Sequence, residues 1–204
     1  WMLEKKLEEG EVDVEQLRED VETQKQATER MDRLIDDLHA IGRIEAGSFA
    51  VEPTRCEPDQ LLRKAVQMYR PRAKRQKVEM TVSSSEELPV IDVDLHHLSR
   101  VFGNLIDNAI KFTDPGGRVD VRAELAGEMV RFEVSDTGRG IPEEALPDLF
   151  ERHWQINDGE ANGAGLGLAI AEAIVEAHGG EIWARSTLEV GTTFYFTIPV
   201  CDEQ

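Results

Sequence analysis

Asn104, Asn108 and Lys111 stand at i, i+4 and i+7, a spacing that lines two carboxamides and an ammonium along one stripe of a helix. Such a stripe is either a solvated flank or one wall of a site for a metal and its phosphate ligand. A hard cation such as Mg²⁺ is commonly held by few protein oxygens plus phosphate, so one amide oxygen with a nearby Lys suits a nucleoside triphosphate. The helix itself is read from Leu98, Val101, Phe102, Leu105, Ala109 and Phe112, which recur at helical spacing and predict an element over 95–112. The polar stripe runs along one border of that apolar face.

A second group of residues ends a strand. Val130, Phe132 and Val134 alternate, and the next residue of the same inward parity is Asp136, followed by Thr137, Gly138, Arg139 and Gly140. Burying a charge is costly without a partner. A solvated strand end would avoid that cost, and a donor such as an adenine amino group would offset it. Thr192 shares parity with Phe194, Phe196 and Ile198, placing another polar group at the core's edge. Gly163, Gly165 and Gly167 open a helix with Leu168, and glycine there lets backbone amides and the positive helix end approach phosphate. The dinucleotide fingerprint is excluded, because Leu168 occupies its third glycine position and the turn follows the irregular stretch 155–162. No P-loop pattern occurs.

The elements that must position these residues follow from periodicity. Leu61, Leu62, Ala65, Val66 and Tyr69 predict a helix, Val78–Val82 a strand, and Val119–Leu125 with Val130–Val134 a hairpin turning near Gly127. Ala164–Ala177 reads as a helix, and Ile182–Arg185 and Thr192–Ile198 as strands joined near Gly191. Hairpins with helices grouped between them give an α+β fold, a two-layer sandwich of helices on one face of a mixed sheet. Ahead of it, Val14, Leu17, Val21, Met31, Ile35 and Leu38 keep a heptad spacing, with Gln24 and Thr28 in its vacant slots and Leu34, Ile41 and Ile44 widening the stripe. This is a long bundle-forming helix over about 14–44, some 45 Å long. Its expected antiparallel partner, 1–9, reaches only about 14 Å. Most of the stripe therefore calls for a second copy of the chain or for packing on the rest of the same chain, and the sequence is expected to be part of a longer protein.

Composition narrows the partners. The 204 residues carry 23 Lys and Arg against 41 Asp and Glu, a formal charge of −18 that repels nucleic acid and anionic lipid. No apolar run is long enough to span a membrane. Cys56 and Cys201 have neither metal-binding nor disulfide-framework spacing, which suits a reducing, cytoplasmic setting.

Four segments occur in order: Asn104-Leu-Ile-Asp-Asn108-Ala-Ile-Lys111-Phe112, Asp136-Thr-Gly138-Arg-Gly140-Ile, Leu149-Phe150-Glu-Arg152 and Gly163-Ala-Gly165-Leu-Gly167. Together they closely resemble the N, G1, F and G2 boxes of sensor histidine kinases of two-component systems, in the superfamily shared with gyrase, heat-shock chaperone and mismatch-repair ATPases. The run from Arg30 to Gly47 resembles the second helix of that family's dimerisation and phosphotransfer hairpin. The resemblance implies a Bergerat-type ATP-binding domain over 48–204 and a partial hairpin over 1–47. It further implies that Asn108 coordinates Mg²⁺, Lys111 contacts phosphate and Asp136 accepts from the adenine amino group. Gly138, Gly140, Gly163, Gly165 and Gly167 would shape the ATP pocket, with Phe150, Arg152, Leu168 and Thr192 bordering it. Residues 151–162 would be a short mobile lid. The implied partners are a second copy, through the N-terminal helix, and a response regulator receiver domain.

Asn104 stands where hydrolysing members of the superfamily carry a glutamate that activates water. A carboxamide cannot take a proton at neutral pH, so slow hydrolysis and transfer to an external nucleophile are expected. None of the five histidines has the family's acceptor context: His39, His96, His97, His153 and His178 precede Ala, His, Leu, Trp and Gly. The acceptor is expected upstream of this sequence. His178 reads as a helix-end position, and His97, two turns before Asn104 on its stripe, as a solvated residue or one that faces the site. Two rival readings are a serine kinase of the anti-sigma type and a nucleotide-sensing dimerisation module without catalysis.

Overall fold

The computed structural model describes residues 14–47, 49–85, 87–151 and 165–201. Helix α1 spans Val14–Glu45. It tolerates Gly42 and stops at Gly47, whose φ of +61° is the left-handed conformation that glycine adopts without strain. Val21, Met31, Ile35 and Leu38 on its apolar stripe are exposed. The C-terminal end behaves differently: Ala40 is buried, Ile41 packs on the core, and Asp37 pairs with Arg100. One end of the helix thus packs within the chain while Val21, Met31, Leu34, Ile35 and Leu38 face outward. The expected antiparallel partner and its turn lie outside the described residues.

Strand β1 (Thr54–Cys56) and strand β3 (Ile91–Val93) form a small antiparallel ladder that periodicity does not announce, because three residues are too few to show alternation. Between them come α2 (Pro58–Arg75) and β2 (Glu79–Ser84). Then follow α3 (Leu95–Phe112), with the bounds read from sequence, β4 (Arg118–Ala126) and β5 (Met129–Asp136). After a 3-10 turn at Glu143–Ala145 the chain continues through α4 (Gly167–Ala177), β6 (Ile182–Thr187) and β7 (Gly191–Pro199). The helical start expected at Ala164 falls outside the described residues, and the described helix begins at Gly167.

The large sheet has the order β2-β4-β5-β7-β6, with β2 and β4 parallel and the other pairs antiparallel. The fold is therefore the expected mixed-sheet α+β layer. Its helix-facing side carries Val119, Val121, Ala123, Val130, Phe132, Val134, Phe194, Phe196 and Ile198, all buried. Leu125, by contrast, is exposed at the end of the hairpin, beyond the helical cover. Phe102 of α3 meets Phe132 and Phe196 edge-on at 5.4 and 5.2 Å between centroids, locking α3 across the middle of the sheet. Each such ring contributes roughly 1.5–3 kcal/mol by burial. Ile106 and Ile110 extend the buried face of α3, whereas Phe112 lies at its margin. Among the described residues no helix is long and apolar enough to cross a membrane.

Candidate functional site

The site is built along α3, whose two ends are tied down by different means. At its start Asp94 is the N-cap, its Oδ1 accepting from the His96 and His97 amides at 3.0 and 3.1 Å. Oδ2 accepts from the Glu52 amide at 3.1 Å and pairs with His97 Nδ1 at 2.8 Å. The Asp94 N–H in turn donates to His178 Nε2 at 2.9 Å, while His178 Nδ1 lies 2.7 Å from the Ile174 carbonyl. His178 is thus the helix-end position expected of it, joining the C-terminus of α4 to the N-terminus of α3. His97 packs edge-on against Phe49 beside Asp94 and is largely buried, which corrects the expectation of a solvated residue.

Further along, the Asn104 side-chain amide donates to the Gly167 carbonyl at 2.7 Å. A Cβ on Gly167 would lie 3.1 Å from Asn104 Oδ1, so glycine at the mouth of α4 is what lets the two elements approach. Asn108, one turn on, is half-buried, and Lys111 is exposed with Nζ 4.7 Å from the Phe112 ring centroid. At the end of the helix the G1 turn closes in. A Cβ on Gly138 would sit 2.2 Å from the Phe112 carbonyl oxygen, and the Arg139 amide donates to that same oxygen at 3.3 Å.

Asp136 sits at this junction and is buried. Its Oδ1 accepts from the Gly138 amide at 2.9 Å and the Thr192 amide at 3.2 Å. Burial pushes its carboxyl above the usual carboxylate range, and the two N–H donors oppose part of that rise. Among the described residues no donor reaches Oδ2. Through Gly138, which accepts no Cβ against the Phe112 carbonyl, Asp136 lies beside the C-terminal end of α3, the helix that carries Asn108. Gly191 belongs to this packing: its φ is +143°, and a Cβ would come 2.0 Å from the Asp136 carbonyl.

A family model for the histidine kinase-, DNA gyrase B- and HSP90-like ATPases matches residues 93–202. The chain belongs to this ATPase family. It is 33% identical over 172 residues to the adaptive-response sensory kinase SasA of Synechococcus elongatus, covering 83% of this chain and 44% of that one. The chain therefore spans less than half the length of that relative. Among solved structures it superposes on full-length ShkA in complex with AMPPNP with a TM-score of 0.79, at 30% identity, over 90% of this chain and 39% of that one. It also superposes on the histidine kinase ThkA in complex with the response regulator protein TrrA, with a TM-score of 0.67, at 25% identity, over 85% and 49% of the two chains. The ATP-binding domain is thus of the histidine kinase kind.

Within this ATPase domain, Phe150 and Leu168 pack against the core, and Gly165 and Gly140 have φ of +67° and +71°. A Cβ on Gly140 would strike the Thr187 carbonyl at 2.2 Å, so the G1 turn seats directly on the β6–β7 turn. Arg152 and Gly163, His153, and all but the first residue of the expected lid lie outside the described residues. Thr192 is buried, with its amide on Asp136 and its Oγ1 2.9 Å from Ser186 Oγ. Ser186 was not singled out from sequence. Its Oγ accepts from the Ile141 amide at 2.7 Å and donates to the Gly191 carbonyl at 2.9 Å. The signal was its parity with Ile182 and Ala184 on β6. Among the described residues no cluster of three His, Cys, Asp or Glu could hold a metal by itself. A cation here would have to share its coordination with a ligand's phosphates, which suits Asn108 as a lone amide donor.

Proposed function

We propose that the chain is the ATP-binding catalytic core of a sensor histidine kinase, which binds Mg-ATP and passes the γ-phosphoryl group to a histidine for relay to a response regulator. In this reading 48–204 is the catalytic domain and 1–47 part of a dimerisation and phosphotransfer hairpin that pairs two copies. The observation that carries it is the buried Asp136 carboxylate, with Oδ1 saturated by two backbone donors and Oδ2 available to an adenine amino group. Bound Mg²⁺ would supply charge neutralisation of the triphosphate. Asn108 would hold the ion through its amide oxygen, and Lys111 would add a positive charge at the phosphates.

Asn104 cannot act as a general base, and its NH₂ is already committed to Gly167. It therefore orients rather than deprotonates, so water is not activated and transfer to an external imidazole is favoured. His178 and His97 are engaged at the ends of α3 and α4, and His39 and His96 lack the family's acceptor context in sequence.

The test has two arms. Calorimetric titration should show ATP binding that strengthens when Mg²⁺ is present and fails in Asp136→Ala. Incubation with γ-labelled ATP should leave the lone chain unlabelled but label a separately supplied hairpin that carries the acceptor, giving an acid-labile product. An acid-stable product would support the serine kinase instead, and strong self-labelling would contradict an acceptor outside this chain.

A further inference from the structure

Charge is segregated on this molecule in a way that ATP chemistry leaves unexplained. Residues 60–78 contain no Asp or Glu, yet seven of the chain's 23 Lys and Arg fall between Arg63 and Lys77. The remaining 16 basic residues stand against 41 acids. Helix α2 carries almost all of this cationic run. Its apolar arc, Leu61, Leu62, Ala65, Val66 and Ala73, is used up in the core. On the opposite arc Lys64, Met68, Pro71 and Arg75 form one exposed stripe, flanked by exposed Arg70 and Lys74.

Two of the cations have local partners: Arg63 pairs with Asp59 at 2.7 Å, and Arg72 with Asp107 at 2.6 Å. Among the described residues Lys64, Arg70, Lys74, Arg75 and Lys77 make no ion pair. The negative end of the helix dipole accounts for Lys74 and Arg75 in the last turn. It does not account for Lys64 or Arg70, and Arg70 with Lys74 is a like-charge i,i+4 pair that destabilises a helix. Met68, 67% exposed, stands in the middle of the stripe as an apolar contact.

We infer that the outer face of α2 is a docking surface for an acidic segment of another protein, a helix or extended strand bearing carboxylates with an apolar side chain that meets Met68. The stripe runs from Lys64 to Arg75, three turns of helix or about 17 Å, which matches a short peptide segment rather than a point ligand. A bilayer fits less well: an interfacial helix buries an apolar face in lipid, whereas α2 turns its own toward the core and leaves only Met68 outside. A flat anionic membrane or a nucleic acid duplex would also face the repulsion of a chain with net charge −18, which a short peptide confined to the stripe meets far less.

The test uses the whole chain and a fluorescein-labelled peptide of Glu-Glu-Ala-Leu repeats as long as α2, with its Gln-Gln-Ala-Leu counterpart as control. Anisotropy at low salt should rise with the glutamate peptide and not with the glutamine peptide, and the affinity should fall as salt is added. The variant Lys64→Glu/Arg70→Glu/Lys74→Glu/Arg75→Glu should weaken binding by roughly tenfold or more, as expected for four exposed charge contacts. Met68→Ala should weaken it by a smaller factor and keep the wild-type melting curve. The charge-reversed variant should melt somewhat lower, because Lys74→Glu and Arg75→Glu oppose the helix dipole, and both variants should keep the wild-type ATP titration. Equal binding of the two peptides, or unchanged binding by the charge-reversed variant, would overturn the proposal. So would stronger association with phosphatidylserine vesicles or duplex DNA than with the glutamate peptide.

Discussion

Asn104 and Gly167, 63 positions apart, are joined by a 2.7 Å hydrogen bond from the side-chain amide to the glycine carbonyl, and the absent Cβ of Gly167 is what leaves room for it. This contact ties the carboxamide stripe of α3 to the mouth of α4. Gly138 does the corresponding work at the other end of α3. The two glycines differ in what surrounds them. At Gly138 a methyl group would meet a backbone carbonyl oxygen at 2.2 Å, and at Gly167 a side-chain oxygen at 3.1 Å. Gly138→Ala should therefore destabilise by about 2–3 kcal/mol or more, while Gly167→Ala should cost less than about 1 kcal/mol. Urea denaturation measures both. ATP titration of Gly167→Ala should still show weakened binding, because Asn104 must move.

Asp136→Asn separates stability from binding. The carboxyl is raised by burial, so between the unfolded value of about 4 and the raised folded value the native state holds a proton that the unfolded chain has released. Stability therefore falls as pH rises through that window, and the Asn variant, which can keep both backbone bonds, should lack the fall and melt at or above wild type at neutral pH. Its ATP affinity should drop roughly tenfold or more, because an amide NH₂ would oppose the adenine donor.

Asp94 has the opposite sign. Burial would raise its carboxyl, but the Glu52 amide, the His97 side chain and the His97 amide outweigh it and hold it well below the usual range. Its stabilisation is present above about pH 4 and is lost as pH falls below that. Asp94→Ala should cost about 1–2 kcal/mol at neutral pH through loss of the cap, with the gap from wild type narrowing in acid. Thermal melts across pH give the comparison.

Asp37 and Arg100 link α1 to α3, each with only about a fifth of its side chain exposed, 22% and 20%. A double-mutant cycle to alanine should return a coupling of about 1 kcal/mol, and either single variant should speed proteolysis at the end of α1.

Ile35 and Leu38 are 53% and 66% exposed on the stripe expected to pair two copies. Changing both to Asp should convert a dimer to a monomer in sedimentation velocity while leaving ATP affinity unchanged. An unchanged sedimentation coefficient would count against pairing through α1.

What depends on near neighbours along the chain is legible in the amino-acid order. Helical spacing placed α3 at 95–112 and put Asn104, Asn108 and Lys111 on one border, and alternation put Asp136 and Thr192 on the inner face of their strands. These patterns are legible because a helix or strand repeats within a few residues. Only tertiary structure decided the bonds between distant segments: Asp136 to the Thr192 amide 56 residues on, Asp94 to His178 across 84, and Ser186 as the post beneath both turns. It also decided that the final turns of α1 pack on α3 and α4 while its middle faces outward. Such contacts are set by how the elements meet once the chain has closed, and side-chain periodicity within one element carries no record of that meeting.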